Sequence, residues 1–333
     1  MRGAAILGLG QVSAAGAGVD ALRAALRDGR PLAPEWTRCF ADEPAVPVLR
    51  ARLGEAEGLV DRRSARRLDD LSLKALVAST LAFEDAHLEA VEPERVGVVL
   101  ATGYGGLATS FAFLDDIIDK GDRRGSPILF ASSVHGAPTS AISQALDIRG
   151  PTMTLSGFAG PFAEGLCLAI DWLDTGEVDV ALLATADGFH EALGYPMGVE
   201  GSFPPDRRLR PLDLDRDTAV PGETFTAMVL ARPREGEAPR WGFVDEPVLL
   251  GGGRLESALS KEGRLLFLGA AGVARQGPAY RELAATGLPV AAYSSHWGSS
   301  PTAEALTVVA AALSLTHGEG YPVPEAGDAD PGV

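Results

Sequence analysis

The sequence predicts an α/β fold in which helices cover a mostly parallel β-sheet. Short apolar, β-branched runs typical of buried strands alternate with segments whose apolar residues recur at helical spacing. Glycines and small polar residues separate the two kinds of segment along nearly the whole chain. Because strand and helix alternate, we expect crossover connections, which make neighbouring strands parallel and place helices on the sheet faces.

The first hundred residues predict two strands and two helices. The strands cover 4–9 and 96–101, and the helices cover 19–27, ending at Gly29, and 72–87. Residues 30–60 are rich in Pro, Glu and Arg and predict a surface excursion. The arginines that follow indicate a solvated helix face: Arg62, Arg63, Arg66 and Arg67. The early Gly-Leu-Gly turn lacks the third glycine of a dinucleotide site, and none is expected.

The middle of the chain predicts a glycine-rich turn, three helices and two further strands. A turn at 102–106 leads into an amphipathic helix ending near Lys120, and a short helix covers 137–146. A strand at 152–156 is followed by a tight turn and a third helix, and another buried strand covers 178–184.

The last third predicts shorter elements. Residues 194–217 are loop-like, because they combine prolines with charged residues. Strands follow at 223–230, 241–250, 265–269 and 288–293, with a turn at 251–253, and helices at 278–285 and 301–315. The residues after His317 predict a frayed tail.

Composition excludes several classes of function. The 333 residues carry 29 basic and 45 acidic side chains, a net charge of −16 that argues against nucleic acid or an anionic membrane as partner. Two cysteines, Cys39 and Cys167, are too few for a disulfide framework, and we expect no metal and no cofactor. Without a signal segment or a run of about 20 apolar residues, we expect a soluble, cytoplasmic protein with no membrane partner.

The stretch from Arg149 to Leu182 organises the rest of the chain. It predicts a strand, a sharp turn of small residues, a helix beginning at Pro161, and a second strand. Many α/β enzymes hold a nucleophile on such an elbow. Here the turn, Gly157-Phe158-Ala159-Gly160, contains no nucleophilic side chain.

The order and spacing of several short motifs resemble the β-ketoacyl synthases, which have the thiolase fold. The motifs are Gly8-Leu9-Gly10, Thr102-Gly103-Tyr104-Gly105-Gly106, Arg149-Gly150-Pro151, Gly176-Glu177-Val178-Asp179-Val180, and Arg210-Pro211-Leu212-Asp213 before Gly222-Glu223. The resemblance covers about residues 1–315. It implies a layered α-β-α-β-α fold with an amino-terminal half at 1–190, a shortened carboxyl-terminal half at 191–320 and a flexible tail at 321–333.

The resemblance also implies that most of the catalytic set is missing. Counting from Pro151 and from Gly176 places the family's nucleophilic cysteine at Ala159, which has no thiol to carry an acyl chain. The family's first histidine falls at Ala271 and its lysine at Ala291. The second histidine is retained as His296. We therefore expect no catalytic residue for condensation.

Loss of chemistry on a retained fold resembles the chain length factors of type II polyketide and polyene synthases. That resemblance implies an active ketosynthase subunit as partner, in a heterodimer that meets the acyl carrier protein through the partner. It implies a dimer strand formed by Thr152, Met153, Thr154, Leu155 and Ser156. Candidates for lining the acyl tunnel are Leu129, Phe130, His135 and Phe158. For Phe130 ordinary core packing is the alternative, and for His135 a satisfied core or interface histidine.

Two other functions remain open at this point. One is altered chemistry on acyl thioesters, as an acyltransferase, thioesterase or cyclase using His296 with Ser156 or Ser295. Against it, Ser156 is expected to point into the sheet. The other is a structural scaffold in a biosynthetic complex.

Overall fold

A computed structural model describes residues 3–39, 45–88, 91–199, 203, 208–247 and 265–324. Its strands are β1 (Gly3–Ser13), β2 (Gly16–Ala17), β3 (Glu35–Thr37), β4 (Val46–Val48), β5 (Val96–Thr102), β6 (Thr152–Ser156), β7 (Val180–Asp187), β8 (Thr224–Ala231), β9 (Phe243–Asp245), β10 (Leu266–Phe267) and β11 (Val290–Ala291). Its α-helices are α1 (Val19–Asp28), α2 (Arg62–Ala65), α3 (Asp70–Ala86), α4 (Leu107–Lys120), α5 (Pro127–Ser132), α6 (Ala137–Ala145), α7 (Pro161–Thr175), α8 (Glu191–Val199), α9 (Gly277–Ala284) and α10 (Glu304–His317).

The main sheet is mixed, so the prediction of a mostly parallel sheet is wrong. The strand order is β2-β1-β8-β7-β5-β6, and β9 pairs with β1. Strand β5 runs parallel to β6 and β7, but β8 runs antiparallel to both β1 and β7. The connection between β7 and β8 explains this difference. Strand β8 begins opposite Asp187, the last residue of β7, so the chain re-enters the sheet at the end where it left and runs in the opposite direction.

Alternating side chains of the main sheet build two separate cores. Val98 and Leu100 of β5 pack with α3 and α6 on one face, whereas Val99 packs with α1, α7 and α10 on the other. In β8, likewise, Met228 packs into the core on one face of the sheet and Val229 into the core on the other face. The sheet is therefore covered on both faces.

A second, smaller sheet adds two more layers. In the parallel pair β10–β11, Phe267 and Ala291 contribute to the core shared with α10, whereas Leu266 and Val290 pack with α9. The order of layers is α3 and α6, the main sheet, α1 with α7 and α10, the small sheet, and α9. This confirms the layered α-β-α-β-α fold, with a second sheet of two strands in the described residues.

Several elements differ from prediction in extent. Helix α8 occupies part of the expected loop at 194–217, although it contains Pro196. Of the strand expected at 241–250 the structure has the three residues of β9, and residues 248–250 and the turn at 251–253 lie outside the described residues. The chain stays packed beyond His317. Tyr321 is buried and its carbonyl accepts a hydrogen bond from the Tyr293 hydroxyl at 2.9 Å, and Val323 packs against the same core. Residues 325–333 of the expected tail lie outside the described residues.

Among the helices that the structure describes, none combines the length and the apolar character needed to span a lipid bilayer.

Candidate functional site

The elbow between β6 and α7 has the geometry that the sequence predicts. Gly160 adopts a left-handed conformation with φ of 72°, which lets the chain turn sharply into a helix whose first residue is Pro161. The Gly157 amide donates to the Thr102 carbonyl at 3.1 Å, so the elbow is fixed to the end of β5. The Glu164 amide donates to the Gly160 carbonyl and closes the first helical turn.

Ala159 lies on this elbow, exposed, two residues before the first residue of α7. The amino terminus of a helix carries a partial positive charge, which lowers the pKa of a nearby thiol and favours the thiolate. The backbone therefore provides the setting that a nucleophile needs. The side chain present is a methyl group, which can neither attack a thioester nor carry an acyl chain.

Asp187 holds the loops around the elbow together. One of its carboxylate oxygens accepts hydrogen bonds from the Gly103 amide (2.8 Å), the Tyr104 amide (3.0 Å) and the Thr102 hydroxyl (3.2 Å). The other accepts from the Thr302 amide (3.0 Å) and hydroxyl (2.7 Å), just before α10. Burial raises the pKa of Asp187 even though these donors favour the charged form.

Close backbone packing fixes the same region. A Cβ at Gly103 would lie 2.2 Å from the ring of Pro301 and 3.3 Å from the Gly157 carbonyl oxygen, so only glycine fits there. The end of β5, the elbow and the segment before α10 therefore meet at one place. Asp187 and Thr302 were not singled out from the sequence, although a carboxylate at the end of a buried strand is a signal that could have found Asp187.

His296 is present but buried. Its Nδ1 lies 3.3 Å from the Tyr293 carbonyl oxygen and 3.4 Å from the Ser295 hydroxyl, and the ring adjoins the backbone of Ala25. Its Nε2 is buried without a hydrogen-bond partner among the described residues. Burial lowers the pKa of His296, so the ring is held neutral. Ser295 is buried with it, which leaves this Ser–His pair inaccessible to a substrate.

Ala271 is half-buried and lies near the His296 segment. The carbonyl of the preceding residue, Ala270, accepts a hydrogen bond from the Ser294 hydroxyl at 2.6 Å. The two segments that the resemblance assigns to the family's histidines are thus neighbours. Ala291, at the lysine position, is buried in β11.

Strand β6 lies at an edge of the main sheet. It pairs with β5 on one side, and no strand in the described ranges pairs with its other side. Thr152, Met153 and Ser156 are exposed, so the expectation that Ser156 points into the sheet is wrong. Beside the strand is a groove of about 320 Å³ rich in hydroxyl groups, lined by Gly136, Thr139, Ser140, Ser143, Gln144, Thr152, Met153 and Thr154.

Three of the four tunnel candidates are exposed, and two of them, His135 and Phe158, contact the glycine turn at 102–106. Phe130 on α5 is 59% exposed, with its ring 5.5 Å from that of Phe113, and Leu129 is half-buried. Phe158 is 78% exposed and lies 6.3 Å from the ring of Tyr104. His135 is exposed and packs on Gly105. Core packing within this chain is therefore excluded for Phe130 and for His135.

Solved structures with the same fold include ketosynthases. The chain resembles the ishigamide ketosynthase/chain length factor with a TM-score of 0.74 and 21% identity, over 95% of this chain and 87% of that one. It resembles a chain of AntDE:AntF, a type II polyketide synthase acyl-carrier protein in complex with its ketosynthase, with a TM-score of 0.72 and 13% identity, over 97% of this chain and 94% of that one. At these identities the likeness shows the fold.

The curated relatives match a smaller part of this chain than the solved structures do. The chloroplastic 3-oxoacyl-[acyl-carrier-protein] synthase I of Arabidopsis thaliana is 28% identical over 246 residues, 68% of this chain and 50% of the relative. The 3-oxoacyl-[acyl-carrier-protein] synthase 2 of Vibrio cholerae is 26% identical over 196 residues, 55% of this chain and 46% of the relative. The chain spans about half the length of these relatives.

A family model shows the membership directly. The amino-terminal domain of beta-ketoacyl synthases matches residues 1–235, which is more than half of the chain and includes β1 through β8, the elbow and the glycine turn. The chain belongs to the beta-ketoacyl synthase family.

Proposed function

We propose that this chain is a catalytically inactive ketosynthase-like subunit, a chain length factor, which pairs with an active ketosynthase in the cytoplasm. In that pair it shapes the tunnel that receives the growing acyl or polyketide chain during elongation on acyl carrier protein. The observation that carries the proposal is Ala159: the elbow and the start of α7 are intact, and the side chain on them is a methyl group.

Condensation needs groups that this chain lacks. A ketosynthase holds the growing chain as a thioester on cysteine and uses imidazoles to stabilise the enolate formed when malonyl thioester loses carbon dioxide. Here Ala159 and Ala271 replace two of those groups. His296 is buried and neutral, with its contacts directed to Tyr293, Ser295 and α1. The active subunit must therefore supply the chemistry.

The exposed edge of β6 supports pairing with a second subunit. An unpaired strand edge in a soluble protein is normally protected, and Thr152 to Ser156 carry no charge or proline that would protect it. Pairing with the partner's equivalent strand would satisfy this edge and cover Met153. The likeness in fold to the ishigamide ketosynthase/chain length factor supports the choice of a ketosynthase as partner.

Phe130 is the candidate for setting chain length. Its exposed ring on α5, with half-buried Leu129 beside it and Phe158 and His135 also exposed, would project into the partner's acyl pocket. A phenyl ring at the end of a tunnel stops an acyl chain by volume. Carrier protein, which is acidic, would dock on the partner, because a subunit with a net charge of −16 repels it.

The test uses this chain and a ketosynthase of the same organism that retains the cysteine and both histidines, purified separately and together. We expect no condensation product from this chain alone, nor from Ala159→Cys, because Ala271 still lacks an imidazole. In the complex, Phe130→Ala should lengthen the product by at least one extension unit. Phe243→Ala is the matched control, since Phe243 is a similarly exposed phenylalanine on β9.

Three results would contradict the proposal. Condensation by the isolated chain would show that it is itself a synthase. Unchanged product length for Phe130→Ala in a stable complex would favour a scaffold. Failure of the two subunits to associate would remove the heterodimer.

A further inference from the structure

Helix α4 has an apolar surface that the described part of the chain covers only in part. Phe113 packs against Phe130 of α5 at 5.5 Å between ring centroids, and the side chains of Phe113 and Ile117 both lie against Gly125. These two side chains are the covered portion. At 100° per residue the apolar surface continues around the helix.

The uncovered portion consists of Phe111, Leu114 and Ile118, which we call the α4 face. Leu114 is 51% exposed and Ile118 is 77% exposed, and Phe111 also reaches the surface, where its ring stacks on that of His190 at 4.7 Å. The three residues have the i, i+3, i+7 spacing of a ridge that packs against another helix. Contiguous apolar surface of this kind is typical of a protein interface.

A row of carboxylates borders the α4 face. Asp115 and Asp119, one turn apart, are exposed, and neither makes an ion pair within the residues that the structure describes. Asp116 differs, because it binds Lys120 and accepts a hydrogen bond from the Ser126 amide at 2.7 Å. A molecule that covers the α4 face therefore meets two uncompensated negative charges at its rim, which Lys or Arg would neutralise.

The α4 face is connected to the surface proposed for the partner. The Ser110 hydroxyl of α4 donates to the Ser133 carbonyl at 3.2 Å, just after α5. From there the chain continues through His135 to Gly136, which lines the groove beside β6. Contacts thus lead without a break from the edge strand through α5 to α4.

We propose that the α4 face binds an amphipathic helix of the partner ketosynthase, with apolar residues against Phe111, Leu114 and Ile118 and lysine or arginine against Asp115 and Asp119. This inference rests on the proposed heterodimer and extends its interface beyond the β6 strand. Apolar burial supplies affinity, and the acidic row selects a basic partner and fixes the register.

The test measures association of the purified full-length chain with the purified ketosynthase by calorimetry or sedimentation. Leu114→Ser with Ile118→Ser should weaken binding by about tenfold or more. Asp115→Lys with Asp119→Lys should weaken it by a similar factor, more strongly at low salt. Matched controls are Leu315→Ser, an isolated exposed leucine on α10, and Glu55→Lys with Glu57→Lys, an exposed acidic pair; both should bind as the wild type does.

Met153→Lys on β6 separates this inference from the proposed function. If Met153→Lys loses binding but both α4 variants bind like the wild type, the inference is overturned and the heterodimer stands. If the wild-type subunits do not associate, the proposed function fails and the inference with it. If the α4 variants abolish only self-association of this chain, the assigned partner is wrong. The charge variant alters only exposed residues, so it decides the question even if the apolar variant does not fold.

Discussion

His296 differs from an open catalytic histidine because its ring is fully buried. Burial lowers its pKa from the ordinary value of 6.5, so the folded chain resists protonation that the unfolded chain accepts. The stabilising contribution is fully present above about pH 6.5 and is lost as the pH falls below that value toward the folded-state pKa.

We therefore expect the free energy of unfolding to fall more steeply with acidification in the wild type than in His296→Asn. The slope of the difference has an upper limit of about 1.4 kcal/mol per pH unit, which corresponds to one proton. Urea unfolding between about pH 8 and about pH 5 measures it, and subtracting the variant removes the contribution of the carboxylates. Parallel stability curves for the two proteins would show that the ring is already solvated or protonated in the folded state.

For single residues, the sequence predicts positions along the chain better than it predicts their surroundings in the fold. The position of Ala159 could be counted, because the motifs on both sides have fixed spacing. The burial of His296 could not be predicted, because it depends on packing against α1, which lies more than 250 residues earlier in the chain. The position of Asp187 at the end of a buried strand is visible in the sequence, but its partners are not, because its five donors come from two segments, around Thr102 and at Thr302, that meet only in the fold.

Elements are joined by a buried ionic network at Glu223. Its carboxylate receives hydrogen bonds from Lys74 of α3, from Arg50 and from the Ala51 amide, each at 3.0 Å. Burial by itself would raise the pKa of Glu223, but Lys74 and Arg50 outweigh it and the pKa is lowered. The network links α3, the segment after β4 and the start of β8.

Removing Lys74 should therefore destabilise the fold strongly. We expect Lys74→Met to lower the free energy of unfolding by about 3 kcal/mol, because it leaves a buried carboxylate with one cation fewer. The double variant Lys74→Met, Glu223→Gln should recover part of that loss, since it removes the uncompensated charge. Chemical denaturation of both variants measures the effect, and a loss below about 1 kcal/mol for Lys74→Met would show that Arg50 and Ala51 suffice.

The elements that the sequence predicted well are those with strong local signals. Strand β6 was predicted residue for residue, and α1 is followed by the left-handed Gly29 as expected. Helix α8 was missed because Gly194 and Pro196 indicate a loop, whereas tertiary packing of that segment against Phe189 and Cys39 outweighs the local preference.

At the scale of the whole molecule, local pattern indicates the layers but not strand direction. Alternating strands and helices predict that helices cover the sheet, and they do. The antiparallel β8 escaped prediction because the alternation of strands and helices elsewhere favours parallel neighbours, and the segment between β7 and β8 carries no local signal for the end of the sheet at which the chain returns. Strand direction depends on the end of the sheet at which the chain re-enters. Just before β8 the chain packs closely on a distant segment, since a Cβ at Gly222 would lie 1.9 Å from the Trp297 carbonyl oxygen.

The charge of the whole molecule leads to a final prediction about carrier protein. With a net charge of −16, the chain repels acidic carrier proteins at long range, and the repulsion is greatest when salt does not screen it. We expect the purified chain to bind holo acyl carrier protein weakly at about 50 mM salt, and no more weakly at about 500 mM. The complex with the ketosynthase should bind it more tightly, with an affinity that falls as salt rises.

One local feature opposes this overall charge and makes the measurement decisive. Arg62, Arg63, Arg66 and Arg67 are exposed on and after α2, where Asp61 caps the helix. If the isolated chain binds carrier protein tightly at low salt, and Arg66→Glu with Arg67→Glu abolishes that binding, then a local basic surface outweighs the net charge and this subunit docks the carrier itself. If binding is weak and unchanged in that variant, the arginines form a solvated helix face and docking belongs to the partner.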